Sequence, residues 1–293
     1  MRRILVSIST LLALALGAAP ALAQTSGTGE DPAQTQAAAA PPAQEEDDPD
    51  RDINRAQPDF TLVALPTTLR LPRHKSSFRI THRFGRPLGA GDFGDLVADL
   101  FGLDGGAIIG LEYRFGVFRG TQAAIHRTSD KTIQFMAQHD LKRQSDTFPI
   151  GINLLAAVEG RDNFQESHAP SLGVLLSREL GDRAALYVEP IWVNNSNPLP
   201  EELADDNNTV MVGLGARIRI RPTVYLVFEG TPRVAGHDPG VTQASFAIEK
   251  RSGGHLFQLN FSNGFGTTFG QLGRGGFTND DWYLGFNISR KFY

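Results

Sequence analysis

The sequence predicts an all-β protein: a single antiparallel transmembrane β-barrel of about 12 strands, with short periplasmic turns and long extracellular loops. Three observations carry that expectation. The chain opens on an export leader, and no later stretch is apolar for the roughly 18 residues a membrane-crossing helix needs. Runs of period-two alternation recur from residue 76 to the end. The connections between those runs sort, almost alternately, into a tight set and a long polar set.

Arg2 and Arg3 give the leader its positive start, and "ILVSISTLLALALGAA" its apolar stretch. Ala21-Leu22-Ala23 has the small residues of a cleavage site, so residues 1–23 are expected to be a cleaved signal peptide and Gln24 the mature N-terminus. A retained membrane anchor is the alternative, and the flanking charge it would need is missing. Residues 24–57 are rich in Ala, Pro, Gln and acid, with no hydrophobic periodicity. They are expected to form a disordered acidic arm, either a solvated spacer or a tether toward a periplasmic partner. Eight acids against Arg51 and Arg55 lie in this arm, leaving a body from residue 58 with 24 bases and 24 acids. That balance gives no reason to expect nucleic acid as a partner. Cysteine is absent, which excludes disulfides, thiolate metal sites and a lipidated cysteine. The 31 glycines and 19 phenylalanines suit strands joined by tight turns better than a helical bundle.

Residues 58–293 are the expected barrel. "SFRITHRFG" sets Phe78, Ile80 and Phe84 against Arg79, Thr81 and Arg83. "AIIGLEYRFG" sets Ile109, Leu111, Tyr113 and Phe115 against Ile108, Gly110, Glu112 and Arg114. "KTIQFMAQHDLKR" sets Ile133, Phe135, Ala137 and Leu141 against Gln134, Gln138, Asp140 and Lys142. "VMVGLGARIRIR" sets Val210, Val212, Leu214, Ile218 and Ile220 against Gly213, Gly215, Arg217, Arg219 and Arg221. "HLFQLNFSN" sets Phe257, Leu259 and Phe261 against Gln258, Asn260 and Ser262. "TQAAIHRT", "FPIGINLLAAVEG", "PSLGVLLSREL", "AALYVEPIWV", "TVYLVFEGT" and "ASFAIEKR" are noisier strand candidates, and "FTLVALPTTLRLPR" (60–73) would add or extend a strand.

The tight connections are "VFRG", "RQSDT", "GDR", "RP" and "SGG". The long ones include "GRPLGAGDFGDLVADLFGLDGG", "NSNPLPEELADDNN" and "GTTFGQLGRGGFTND", and only "SDK" breaks the rule by being short. Outer-membrane barrels sort their connections in this way, whereas a water-soluble β-sandwich has no reason to. Within the first long loop, "FGDLVADLFGL" has helical spacing, compatible with an inward constriction, an element along the membrane interface or a small cap.

The last strand, "DWYLGFNISRKFY", puts Trp282, Leu284, Phe286, Ile288 and Phe292 on one parity, interrupted by Arg290. That parity is expected to face lipid, with Tyr113, Phe115, Trp192, Trp282 and Phe292 in the aromatic girdles. The stripe resembles the signal by which outer-membrane proteins engage the barrel-assembly machinery, here with its aromatic at the penultimate Phe292. "HRFG" at 82–85, "GLEYRFG" at 110–116 and "GGHLFQLNFSNG" at 253–264 resemble motifs of a bacterial family of outer-membrane β-barrel proteins of unknown function. The resemblance covers about residues 60–293; it implies the barrel and its outer-membrane location, and supplies no reaction, ligand or catalytic residue.

With apolar faces outward, the lumen is expected to receive Arg79, Arg83, Glu112, Arg114, Gln134, Gln138, Arg217, Arg219, Arg221, Glu229, Glu249 and Arg251. Arg217, Arg219 and Arg221 would stand about 7 Å apart along one strand face. They could attract anions along a passive pore for small hydrophilic or anionic solutes. Alternatively they pair with Glu229 and Glu249 and fill a non-conducting structural or interaction barrel. A lipid-modifying enzyme is a third possibility, but no spacing among the seven histidines singles out a triad. His82 and His139 share the outward parity, and the acid pairs Asp205-Asp206 and Asp280-Asp281 lie in loops. No HExxH or EF-hand spacing is present, so no metal or cofactor is expected. The glycines of "VGLGA" belong to a strand, where they would relieve crowding inside a barrel.

Overall fold

Alternating residues of a strand point to opposite faces, so each period-two run supplies one stave with a greasy side and a polar side. The computed structural model describes residues 49–197 and 207–293, all within the compact unit Glu46–Tyr293. The signal peptide, most of the acidic arm and the Asp205-Asp206 pair lie outside the described residues.

The staves are β1 (Ser76–Pro87), β2 (Ala107–Phe118), β3 (Thr121–Thr128), β4 (Ile133–Lys142), β5 (Gly151–Gly160), β6 (Glu166–Leu180) and β7 (Ala184–Asn194). They continue with β8 (Asn208–Arg221), β9 (Val224–Thr231), β10 (Arg233–Ala235), β11 (Gln243–Ser252), β12 (His255–Ser262) and β13 (Tyr283–Phe292). β9 and β10 both pair with β8. They are one stave interrupted by Pro232, whose carbonyl still accepts the Val212 amide at 2.9 Å and which has no N–H of its own to give. Every stave is antiparallel to its neighbours, and β1 pairs with β13 from Ser76↔Phe292 to Pro87↔Tyr283. The result is a closed antiparallel barrel of 12 strands.

Closure leaves no unpaired edge, the condition for a β-structure to sit in hydrocarbon. No described helix is long and apolar enough to cross a membrane. The outward parity carries large apolar side chains that are half-exposed, among them Leu111, Phe135, Leu172, Leu214 and Ile248. In water this band would drive aggregation; in lipid it meets a solvent of its own polarity.

The longest connections, among them 88–106 and 263–282, lie at one end of the barrel together with the short 129–132 and 161–165; the other end carries the turns 119–120, 181–183, 222–223 and 253–254 and the eight-residue connection 143–150. Two long loops carry helices: α1 (Phe93–Ala98) between β1 and β2, followed by a 3-10 segment at Leu100–Gly105, and α3 (Phe269–Arg274) between β12 and β13. A single turn, α2 (Arg161–Phe164), follows β5.

Candidate functional site: an occupied lumen

Residues 58–75 form none of the staves, although the sequence reading places them in the barrel and offers 60–73 as a strand. The segment 57–72 turns into the lumen. Thr61 and Pro66 form an isolated antiparallel bridge. Thr67 donates its amide to Phe60 O and Leu62 to Leu65 O, both at 2.8 Å, making a narrow hairpin with Val63 and Ala64 at its tip. Phe60, Leu62, Val63, Leu65 and Leu71 are buried. Inside a wall whose strands are already paired, the segment has no ladder to join, and wall side chains satisfy its backbone instead.

The tip is held from two sides. Glu229 Oε2 accepts the amides of Val63, Ala64 and Leu65, each at 2.9 Å. Successive amides converging on one oxygen form an anion-binding nest, filled here by a wall carboxylate. The Val63 carbonyl accepts from Arg79 Nη2 at 2.6 Å, Arg83 Nη2 at 3.4 Å and Asn287 Nδ2 at 3.0 Å. Along the arms, Arg217 donates to Thr61 O at 2.6 Å, Gln258 to Leu62 O at 2.9 Å, Gln138 to Thr67 O at 2.8 Å and Gln122 to Leu69 O at 3.1 Å. Phe60 lies between the Arg114 guanidinium, 5.6 Å from the ring centre, and the Lys291 ammonium at 4.8 Å.

Two wall glycines make the space. A Cβ on Gly215 would stand 2.2 Å from Leu62 Cδ1, and one on Gly213 2.8 Å from Leu65 Cδ1. The glycines of "VGLGA" are therefore sockets for the hairpin's leucines. At the short-turn mouth, Arg70 pairs with Asp140, Asp50 with Arg143, and Arg55 with Asp182. Asn54 and Gln57 both donate to Glu179. Residues 50–57 of the expected arm thus pack on the barrel mouth, because their polar groups find partners at the ends of β4 and β6.

From the long-loop end α3 also folds inward. Its first amides are taken by the wall: Phe269 N to Gln134 Oε1 and Gly270 N to Glu159 Oε2, both 2.8 Å. Phe269 and Leu272 join the same buried apolar cluster as the hairpin and the wall. Burial holds the Arg274 guanidinium below its ordinary value, with Glu159 opposing.

The expected lumen residues divide into three groups. Arg79, Arg83, Glu112, Arg114, Gln134, Gln138, Arg217, Glu229 and Glu249 are buried on the inward face. Arg217 and Glu249 form a two-pronged pair at 2.8 and 2.9 Å, and Arg114 reaches Glu112 at 3.0 and 3.1 Å. Glu229 binds hairpin amides, where the sequence reading pairs it with an arginine. Arg219 and Arg251 are half-buried at the mouth, Arg219 standing 3.8 Å from Asp182. Arg221 is exposed at the turn into β9, so the three-arginine ladder is one interior guanidinium and two at the rim.

Of the aromatics, Phe115 and Phe292 share a row with Ser76 near the short-turn end, and Tyr113 lies one outward position further in. Trp192 donates to Asn208 Oδ1 at 3.1 Å, and Trp282 packs on Phe246 at 5.6 Å, both toward the long-loop end. His139 Nδ1 meets the Thr121 hydroxyl at 2.8 Å, while His82 stacks on Phe286 at 4.7 Å. The two histidines face outward on separate strands. No cluster of metal-ligating side chains occurs among the described residues.

The hairpin, α3 and the apolar side chains of the inner wall are not evident from alternation alone. Met136, Leu155, Leu175, Ile191, Val193, Met211 and Val227 all point inward and are buried. For all of these but Met136 and Met211 the signal is present in the noisy strands, which are apolar on both parities because lipid lies on one side and the hairpin or α3 on the other.

A closed barrel with a lipid-matched outer wall and a polar, charged inner arc defines an outer-membrane β-barrel protein. The chain belongs to the family described as "Membrane bound beta barrel domain (DUF5777)", which matches residues 59–292. Among solved structures, the NanC porin shares 10% identity at a TM-score of 0.49, over 74% of this chain and 99% of that one. An outer-membrane channel from Pseudomonas putida F1 gives 10% and 0.49, over 76% and 97%. The outer-membrane channel DcaP of Acinetobacter baumannii gives 9% and 0.32, over 64% and 63%. No curated protein matches the chain.

Proposed function

We propose that the protein is an outer-membrane channel held closed by its own N-terminal hairpin. The observation that supports this is the clamp on the tip, with three amides on Glu229 and one carbonyl shared by Arg79, Arg83 and Asn287. A filler needed only for packing would gain little from so many charged contacts, each of which costs desolvation. Withdrawal of the hairpin would expose an arc carrying Arg79, Arg83 and Arg114 against Glu112. That arc suits small hydrophilic or anionic solutes. The nine buried candidate residues then act either as hairpin contacts or as lining of the opened path, Arg219, Arg221 and Arg251 stand at its mouth, and the outward aromatics act as girdle anchors. β13, with its apolar stripe, is the strand that would engage the barrel-assembly machinery.

The alternative of a permanently non-conducting interaction barrel draws on the Arg217–Glu249 and Arg114–Glu112 pairs. Planar-bilayer recording separates the two readings. The intact protein should be silent or open rarely, and a form lacking residues 50–72 should conduct with anion preference. If the shortened form folds as a barrel and stays silent, the channel reading fails.

A further inference from the structure

α1 has no buried residue. Phe93 is 74% exposed, and Val97, Leu100 and Phe101 beside it are also exposed. An isolated six-residue helix with a bare apolar face has no reason to persist in water, so the position of the loop matters. Phe84 fixes it. This residue lies on the lipid-facing parity of β1, its ring 4.4 Å from that of His82 and 6.2 Å from that of Phe286. Yet it is only 8% exposed, the outlier of that face. The 3-10 segment covers it: a Cβ on Gly102 would stand 3.4 Å from Phe84 Cβ. Arg86 ties the segment down through Asp99 at 2.6 Å, and Leu88 N donates to Trp282 O at 2.7 Å. The loop therefore leans over the outer wall beside Trp282, away from the lumen.

We propose that α1 and Leu100–Phe101 lie in the outer leaflet, with Phe93, Val97, Leu100 and Phe101 embedded at the headgroup–acyl boundary. The occupant of this face is lipid. The apolar patch is continuous with the lipid-facing band through Phe84. A helix lying in the interface plane needs one greasy side and one polar side, and the cap residues Asp92 and Asp95 supply the latter.

The chain has no cysteine, so single-site spin labels report unambiguously. The full-length protein is reconstituted in phosphatidylcholine vesicles carrying V97C, L100C, the wall reference L111C or the exposed-loop reference G89C. Collision with oxygen and with a water-soluble nickel chelate is then compared. V97C and L100C should shift to the oxygen-favoured side, close to L111C and away from G89C. Nickel access equal to that of G89C would overturn the proposal. So would exclusion of both reagents, which would mean a protein contact such as a second copy. F93W in a W192F/W282F background, quenched by brominated phosphatidylcholine, gives an independent reading if either cysteine variant fails to fold.

Discussion

The Ala64 amide nitrogen lies 2.9 Å from Glu229 Oε2, and its two neighbours share the same oxygen at the same distance. One wall oxygen thus gathers the donors of an entire turn. Glu229→Ala would strand those amides and remove roughly 1.5–3 kcal/mol even if the cluster is counted as a single charge-assisted bond. Amide exchange at 63–65 should rise, and opening events in bilayers should become more frequent. Unchanged exchange would mean that the tip is held elsewhere.

Glu189 has the opposite influence. It is fully buried beside the Gly213 socket of Leu65, and neither carboxylate oxygen has a hydrogen-bond partner among the described residues. A buried carboxyl left unsatisfied opposes the state that buries it. Glu189→Leu is expected to slow exchange at the tip and reduce openings, and faster exchange would refute this.

The leucine sockets are testable by paired substitution. Gly215→Ala places a methyl into Leu62 and should destabilise the inserted hairpin by about 1–3 kcal/mol. Leu62→Ala in the same chain should recover most of that loss. Limited proteolysis of the hairpin reads both, and failure of the rescue would mean that the alanine acts on the wall itself.

Arg217 and Glu249 are both fully buried. Arg217→Met leaves Glu249 uncompensated and should cost about 3–5 kcal/mol in urea unfolding followed by tryptophan fluorescence in vesicles. The double replacement Arg217→Met with Glu249→Met should recover much of it.

His237, in the loop after β10, is held below its ordinary histidine value by burial and by nearby Arg233 and Arg274. The fold therefore favours neutral imidazole. Its contribution is fully present above the unfolded value of about 6.5 and is lost as pH falls below that value. Amide exchange across 236–242 should increase on acidification, and His237→Gln should remove that dependence.

Much of the wall is legible from alternation alone. Phe78 to Phe84 opposite Arg79 to Arg83 is a stave with lipid on one side and polar contacts on the other, and period two records it. Leu154 and Leu155 face opposite sides, and both must be apolar, so "INLLAAV" loses its period without ceasing to be a wall strand. The hairpin is harder to read. "FTLVALPTT" resembles a strand because it is apolar and buried, but beyond its own narrow turn its backbone partners are side chains such as Gln138 and Arg217, scattered along the chain and invisible to any local pattern. Arg221 falls outside the lumen for a simpler reason: parity assigns a face, while the end of a strand decides whether that face still lies inside.

The inner wall also has a sidedness that constrains any opening. β5 to β9 place Leu155, Leu175, Ile191, Met211 and Val227 inward among Glu159, Glu189, Arg217 and Glu229, whereas β12, β13, β1 and β2 present Gln258, Asn287, Arg79, Arg83 and Arg114 with few apolar side chains between them. Were the hairpin to leave entirely, water would meet one flank where oily and ionic patches alternate and another that is polar almost throughout. A permeant would then have an off-centre, crescent-shaped track hugging the seam where the first and last strands join, its bore set by how far the leucines retreat.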